Sequence, residues 1–246
     1  MLLEQPQTKL HLLMEAQMTI RHILLGIVLI FLVAIIAGCA SFRSEIRGEF
    51  QGEAKQNINP DKVKVLFIFS HFRQITGLDA VPILENKNEI VARFDDLFND
   101  ALPELSNIDQ YSTYTEFASD VNHPERRAQR DSLVAASDYY VELKFKKEKR
   151  FASYYLKILT SIATATILPL PYTQSYSLDT EVHDHHGRLL ATYHRNAKLT
   201  RWVQPLLIIA YPFYPYERKR EEIYLGFMHD TFRQIESESV FDGRIN

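Results

Sequence analysis

The chain has 246 residues, of which 46% are hydrophobic and 24% are charged, with a formal net charge of -3. This is the composition of a globular protein with one domain of moderate size. The near-neutral charge argues against a nucleic-acid partner, the 8 glycines argue against a glycine-rich phosphate loop, and the single cysteine excludes an intrachain disulfide.

A short basic stretch and an apolar run follow one another near the start of the chain. The basic stretch covers 18–22, and the apolar run covers 23–36. A run of about 14 residues makes roughly 21 Å of helix, which is short of the about 20 residues that span a bilayer. We therefore predict a secretory signal peptide over 1–38, with translation starting at Met18 or, as the alternative, at Met14. An uncleaved apolar anchor is the alternative.

The residues that end this region are Ile36, Ala37, Gly38 and Cys39, and they resemble the bacterial lipobox. The resemblance implies that a dedicated signal peptidase recognises the first three residues and cuts before Cys39, whose thiol carries diacylglycerol. Two or more acyl chains anchor a protein stably in a membrane. Ala40 replaces the Asp that would favour retention in the inner membrane, so the resemblance implies the periplasmic face of the outer membrane.

The mature chain begins with a polar stretch and then shows regular patterns. We predict a linker over 40–61, with part of an edge strand, because this stretch is polar and lacks periodicity. Apolar residues on both faces predict a central strand over 62–69. Apolar residues at steps of three and four predict a helix from about 88 to 102, and a shorter helix is expected over 124–136.

The second half begins with three strands and ends with a helix. Alternation predicts a half-buried strand over 139–149 and a hairpin of strands 174–183 and 188–199. The turn between the hairpin strands contains Gly187, which can adopt positive φ. An amphipathic helix is predicted over about 217–237.

This order of elements predicts a single α+β domain over 62–246, preceded by the lipidated cysteine and linker over 39–61. The expected architecture is an antiparallel-rich sheet of about four strands, with helices packed on one face and two apolar inserted segments. In element order, 62–237 resembles the α/β domain of envelope-assembly lipoproteins such as the curli secretion channel and the penicillin-binding-protein activators. No motif carries that resemblance, and it assigns no functional residue.

The two inserted segments, 154–172 and 202–216, are apolar but are too short and too proline-broken for transmembrane helices. If the strands beside them are antiparallel, both segments leave the sheet on one side. Basic residues flank both, which suits a membrane surface or a protein partner. Ordinary core packing is the alternative. The candidate contact residues are Leu156, Ile158, Ile167, Trp202, Leu206, Ile208, Tyr211 and Tyr214.

Motifs for catalysis or metal binding were sought in the sequence and not found. His183, Asp184, His185 and His186 are close together, but His186 falls in the turn and no second ligand cluster has suitable spacing. We therefore predict no metal site and no cofactor. The sequence contains no G-x-S-x-G, H-E-x-x-H or P-loop motif, so we predict no enzyme activity.

The sequence thus predicts a non-enzymatic lipoprotein that binds another envelope component, either a protein partner or further copies of itself. A small-ligand or lipid carrier is one alternative, because the apolar segments could enclose a pocket. An oligomeric, membrane-inserting secretion or assembly factor is the other.

Overall fold

The computed structural model describes residues 21, 25, 39–52, 62–76, 82–86, 91, 93–149, 159–160, 170–203 and 215–242. Seven strands lie in these ranges: β1 Cys39–Arg43, β2 Val63–Thr76, β3 Pro82–Asn86, β4 Ile108–Glu116, β5 Tyr139–Lys149, β6 Leu170–Asp184 and β7 Leu189–Val203. The α-helices in the same ranges are α1 Phe94–Ala101, α2 Pro124–Ala135 and α3 Tyr216–Ser237. Short 3-10 turns cover Leu102–Glu104, Ala118–Asn122 and Val240–Asp242.

The strands form one mixed sheet in the order β1-β7-β6-β5-β2, and the outer edge of β2 is shared by two strands. β4 pairs with the first half of β2 in parallel, and β3 pairs with its second half in antiparallel fashion. β2 and β5 are parallel, whereas β5, β6, β7 and β1 are joined antiparallel. β2 is therefore a central strand, as its apolar sequence predicts.

One face of the sheet, called the packed face, is covered by α1 and α3. Alternate side chains of each strand point to this face, and Phe67 of β2 contacts Phe98 of α1 and Phe232 of α3. The ring centroids of Phe67 and Phe98 lie 5.0 Å apart, and those of Phe67 and Phe232 lie 5.5 Å apart. Such tilted and edge contacts add to the stabilisation from buried area. The main core lies here.

The opposite face is covered over β2 and β4 by α2. Leu66 and Ile68 of β2 and Tyr114 of β4 pack with Leu133 and Val134 of α2. Both faces of β2 are consequently buried. Toward β5, β6 and β7 the same face carries charged and polar side chains, and this region is called the open face.

Residues 39–52 run along the domain. β1 pairs with β7, and the backbone N–H of Ser44 donates to the carbonyl of Lys198 at 2.8 Å. Farther on, the N–H of Phe50 donates to a carboxylate oxygen of Asp230 in α3 at 2.9 Å. The edge strand allowed by the linker prediction is thus β1, and 53–61 lie outside the described residues.

The fold class predicted from sequence is wrong in its sheet. The described residues contain seven strands rather than about four, two of the pairings are parallel, and helices occupy both faces. β1 and β3 have five residues each, and β4 reads IDQYSTYTE with few apolar positions. Because no sustained apolar alternation marks these three strands, periodicity alone did not reveal them.

The helix predicted from about residue 88 begins later than expected. Val91 is buried in the core but is not helical, and Arg93 has a φ of 58° directly before α1. A left-handed residue cannot continue a right-handed helix, so α1 begins at Phe94.

The other predicted elements are confirmed with small shifts. α2, β5 and α3 match the predicted 124–136, 139–149 and 217–237. The hairpin is present and is longer than predicted. Gly187 has a φ of 80°, as its turn position requires.

Candidate functional site at the Cys39 end of the sheet

The ends of four strands lie at one end of the sheet, which is called the Cys39 end. β1 begins there at Cys39, which is paired with Val203 at the end of β7. Val203 is in turn paired with Leu170 at the start of β6. β5 ends at Lys149, close to Gln174 in the register of β5 and β6. Since adjacent strands are about 4.8 Å apart, the backbones of Cys39 and Leu170 are separated by roughly 10 Å.

The start of α3 is fixed at the same end by two tyrosines. The hydroxyl groups of Tyr176 and Tyr216 lie 2.6 Å apart, and each contacts the side-chain oxygen of Gln174, at 3.0 Å and 2.8 Å. Burial, together with the neighbouring Tyr216, raises the pKa of Tyr176 above its ordinary value, so the phenol stays neutral. The Cys39 end therefore holds the described residues at or beside the ends of the two apolar segments, which are Lys149, Leu170, Val203 and Tyr216.

The antiparallel arrangement expected for β5, β6 and β7 is confirmed, and both apolar segments join the sheet on one side. Of the candidate contact residues, the structure describes Trp202, which is half-buried on β7 opposite Ala40 and Pro171. The remaining candidates lie outside the described residues, and so do the three residues predicted to form the peptidase recognition sequence. They are Leu156, Ile158, Ile167, Leu206, Ile208, Tyr211, Tyr214, Ile36, Ala37 and Gly38.

Exposed apolar side chains are present at this end. Phe42 of β1 is 42% exposed, and Ile83 and Leu84 of β3 are 47% and 43% exposed. Such side chains favour contact with an apolar phase when they lie close together. Phe42 lies on one edge strand of the sheet, whereas Ile83 and Leu84 lie on the strand at the opposite edge.

Basic side chains outnumber acidic ones among the described residues of the Cys39 end. The basic residues are Arg43, Arg73, Lys146, Lys147, Lys149, Lys198, Arg201, Arg218, Lys219 and Arg220. The acidic residues are Glu45, Glu85, Glu148, Asp179, Glu217, Glu221 and Glu222, and Asp179 pairs with Lys146. The described residues of the Cys39 end therefore have a net positive charge, although the whole chain has a net charge of -3.

The hairpin tip at the opposite end of the sheet is a hydrogen-bonded turn. A carboxylate oxygen of Asp184 accepts from the backbone N–H groups of His186 at 3.0 Å and of Arg188 at 2.9 Å. These hydrogen bonds lower the pKa of Asp184, with that from Arg188 contributing most. His185 and His186 are exposed side by side, so the tip matches the polar turn predicted from sequence.

His183 points to the open face, away from the turn. It stacks on Tyr140 with ring centroids 4.7 Å apart, and its ligand atoms lie within 4.8 Å of those of Glu142 and Glu181. However, Lys144 Nζ lies 3.0 Å from a carboxylate oxygen of each glutamate, and Arg130 lies 2.9 Å from Glu142. The carboxylates are already neutralised by these cations, so a metal ion would have to displace Lys144. We interpret the group as an ion-pair network.

None of the helices in the described ranges is both long enough and apolar enough to cross a bilayer.

Comparisons with known proteins give no family. No family model matches the chain, and no curated protein matches it. Among solved structures, a PelC dodecamer from Paraburkholderia phytofirmans is 8% identical, with 80% of this chain and 97% of that chain covered and a TM-score of 0.32. A variant PelC dodecamer from the same organism is also 8% identical, with 78% and 96% covered and a TM-score of 0.29. TM-scores at this level do not establish a shared fold.

Proposed function

We propose that this protein is a non-enzymatic, lipid-anchored component of the bacterial cell envelope whose Cys39 end faces the bilayer. One observation carries the proposal. The lipobox cysteine begins an edge strand at the same end of the sheet to which both apolar segments are attached.

The tether to the membrane is short in this arrangement. Acyl chains contribute about 0.8 kcal/mol for each buried CH₂, and two or more chains hold a protein at the bilayer. Because Cys39 is already paired with β7, no flexible linker separates the lipid from the sheet. The exposed Phe42 lies three residues from the lipid and is therefore held near the membrane surface.

An electropositive end suits this orientation, since bacterial membranes contain anionic lipids that attract basic side chains. The Ala at position 40 supports the outer membrane, through the resemblance to lipoproteins given above. In this orientation the hairpin tip at Asp184 points away from the bilayer. The open face runs between the two ends and is available to another envelope component.

The structure gives little support to a lipid carrier within the described residues. A cavity of about 580 Å³ lies between 43–49 and α3. Its walls include Arg43, Glu45, Glu222 and Arg233. Apolar Ile46 and Leu225 also line this cavity, but the charged side chains would lose contact with water beside an acyl chain, so the walls suit a polar ligand better.

The test is metabolic labelling of cells with radiolabelled palmitate, using the full chain and its Cys39→Ser variant. We expect the wild type to incorporate label and to lose its signal segment, and the variant to remain unlabelled and uncleaved. Ala40→Asp is the matched control, since it keeps the cysteine and is expected to move labelled protein to the inner-membrane fraction. An unlabelled wild type, or a variant labelled as strongly as the wild type, would contradict the proposal.

A further inference from the structure

Three cations lie together on the packed-face side of the Cys39 end. Arg73 of β2 is paired with Lys147 of β5 in the parallel register. Lys147 and Lys149 are two residues apart on one strand, so they share a face with the buried Phe145. The three side chains therefore extend the packed face beyond the end of the apolar core.

The electrostatics of this cluster favour an added anion. The pKa of Lys149 is lowered by its partial burial and by the positive charges of Arg73 and Lys147. Two carboxylates are nearby: Glu85 is opposite Arg73 in the register of β3, and Glu148 is the intervening residue on β5. The repulsion at Lys149 acts in the presence of both, and a bound anion would relieve it.

The three cations surround a small cavity. Its volume is about 40 Å³, and its walls are Arg73, Gln74, Lys147, Glu148, Lys149 and Gln174. The side-chain oxygen of Gln74 accepts from the backbone N–H of Lys149 at 2.8 Å, which joins the ends of β2 and β5. Since one water occupies about 30 Å³ in the liquid, the cavity has room for little more than one water, so it can take an oxygen atom of a phosphate group whose remainder lies outside it.

Lys147 is positioned by the tyrosines that fix α3. Its Nζ lies 5.9 Å from the ring centroid of Tyr176 and 6.0 Å from that of Tyr216, within the range of cation–π attraction. The ammonium group of this cavity-lining residue is thereby held beside two tyrosine rings.

We propose that Arg73, Lys147 and Lys149 form a binding site for the phosphate of an anionic phospholipid headgroup in the bilayer that holds Cys39. This inference rests on the proposed function, which brings the Cys39 end to the membrane. Lysine and arginine are the usual partners of phosphate oxygens. The location selects a lipid headgroup rather than a soluble phosphate.

The site would give the domain a second point of attachment. Cys39 lies on β1 and Lys149 on β5, with β7 and β6 between them, which separates them by roughly 14 Å across the sheet. In the register Cys39 is level with Leu170 and Lys149 with Gln174, four residues farther along β6, so their backbones are roughly 20 Å apart. A domain held by a single lipidated residue can rotate about it. Attachment at two strands instead fixes the orientation of the sheet relative to the bilayer.

The experiment is native mass spectrometry of the lipidated protein, expressed from the full chain and released from membranes in detergent with equimolar phosphatidylglycerol and phosphatidylcholine. The ratio of bound phosphatidylglycerol to phosphatidylcholine is measured for the wild type and for the triple variant Arg73→Gln, Lys147→Gln, Lys149→Gln. A basic residue near an anionic lipid surface contributes about 1 kcal/mol, so we expect this ratio to fall about fivefold for each cation removed.

The matched control is Lys62→Gln, Lys64→Gln, Arg188→Gln, which removes the same charge from exposed positions at the opposite end of the sheet and should keep the wild-type ratio. The single variant Arg73→Gln, at an exposed position, should lower the ratio about fivefold and protects the test against misfolding of the triple variant. A triple variant with the wild-type ratio would overturn the headgroup site. Displacement of the lipid by millimolar inorganic phosphate would assign the site to a soluble anion and would also overturn it.

The same spectrum tests the proposed function separately. The mass of Cys39 reports whether diacylglycerol is attached, whatever the ratio of bound lipids. An unmodified cysteine would contradict the anchor without deciding the headgroup site. A lipidated protein with an unchanged ratio would contradict the headgroup site alone.

Discussion

The two faces of β5 to β7 are made by alternate residues of the same strands, but they have opposite chemistry. On the packed face Leu143, Phe145 and Leu178 are buried beneath the helices. On the open face Lys144 pairs with Glu142 and Glu181, and these side chains keep part of their exposure to solvent. The comparison indicates that folding energy is concentrated on one face, while the other tolerates change and can serve binding.

The ion pairs on the two faces differ in burial in the same way. Arg195 of β7 pairs with Asp230 of α3 on the packed face, where their side chains are 4% and 6% exposed. Asp230 also accepts from the backbone of Phe50, so the pair joins β7, α3 and the segment after β1. Removing one member of a buried pair leaves an uncompensated charge, whereas exposed pairs contribute little.

The largest expected loss of stability comes from a substitution on the packed face. Phe145→Ala removes a ring that lies between Phe94 of α1 and Tyr224 of α3, with ring centroids 5.6 Å and 4.9 Å away. We expect the free energy of unfolding to fall by about 3–5 kcal/mol, because the loss of buried area is accompanied by a cavity. Urea unfolding measures this change. A loss below about 1 kcal/mol would show that the site collapses around the smaller residue or that the helices do not pack there.

A smaller loss of stability is expected from a substitution of Asp120, which is buried in the 3-10 turn between β4 and α2. Burial alone would raise the pKa of Asp120, but hydrogen bonds from Arg126, from the backbone of Phe117 and from Tyr114 lower it below its ordinary value. Because the folded pKa is lowered, the carboxylate stabilises the fold above its unfolded pKa. That stabilisation is lost as the pH falls through the folded value.

Asp120→Asn should therefore cost about 1.5–3 kcal/mol at neutral pH, the usual contribution of hydrogen bonds to a charged group. The difference from the wild type should shrink as the pH falls below the ordinary aspartate pKa of about 3.9 and through the lower folded pKa. Urea unfolding over this range provides the measurement. A difference independent of pH would show that the charge of Asp120 has no part in the stabilisation.

The smallest loss of stability is expected from a substitution on the open face. Lys144→Ala removes the cation that bridges Glu142 and Glu181, yet we expect a loss below about 1 kcal/mol, because these groups are only partly buried. Lys144 and Phe145 are neighbours on β5 and point to opposite faces, so each variant is the matched control of the other. A loss as large as that of Phe145→Ala would remove the distinction between the faces.

Much of the fold could be predicted from local patterns, but the candidate site could be predicted only in part. The sequence predicts a basic flank before the first apolar segment, and Lys146, Lys147 and Lys149 belong to that flank. Arg73 was missed, because nothing within β2 indicates that it is paired with Lys147. The strands β3 and β4 are not predicted from the sequence for a related reason, since each is defined by its partner rather than by its own pattern.

The sequence by itself determined the lipobox resemblance, the hairpin with its Gly187 turn, the buried strand β2 and the helices α2 and α3. These features depend on residues close together in the chain, through periodicity, turn chemistry and motif spacing. Only the tertiary structure decided that β2 is parallel to β4 and β5, that Cys39 begins an edge strand, and that Arg73 joins two lysines. Periodicity records which face of an element is buried, but it does not record which element lies beside it.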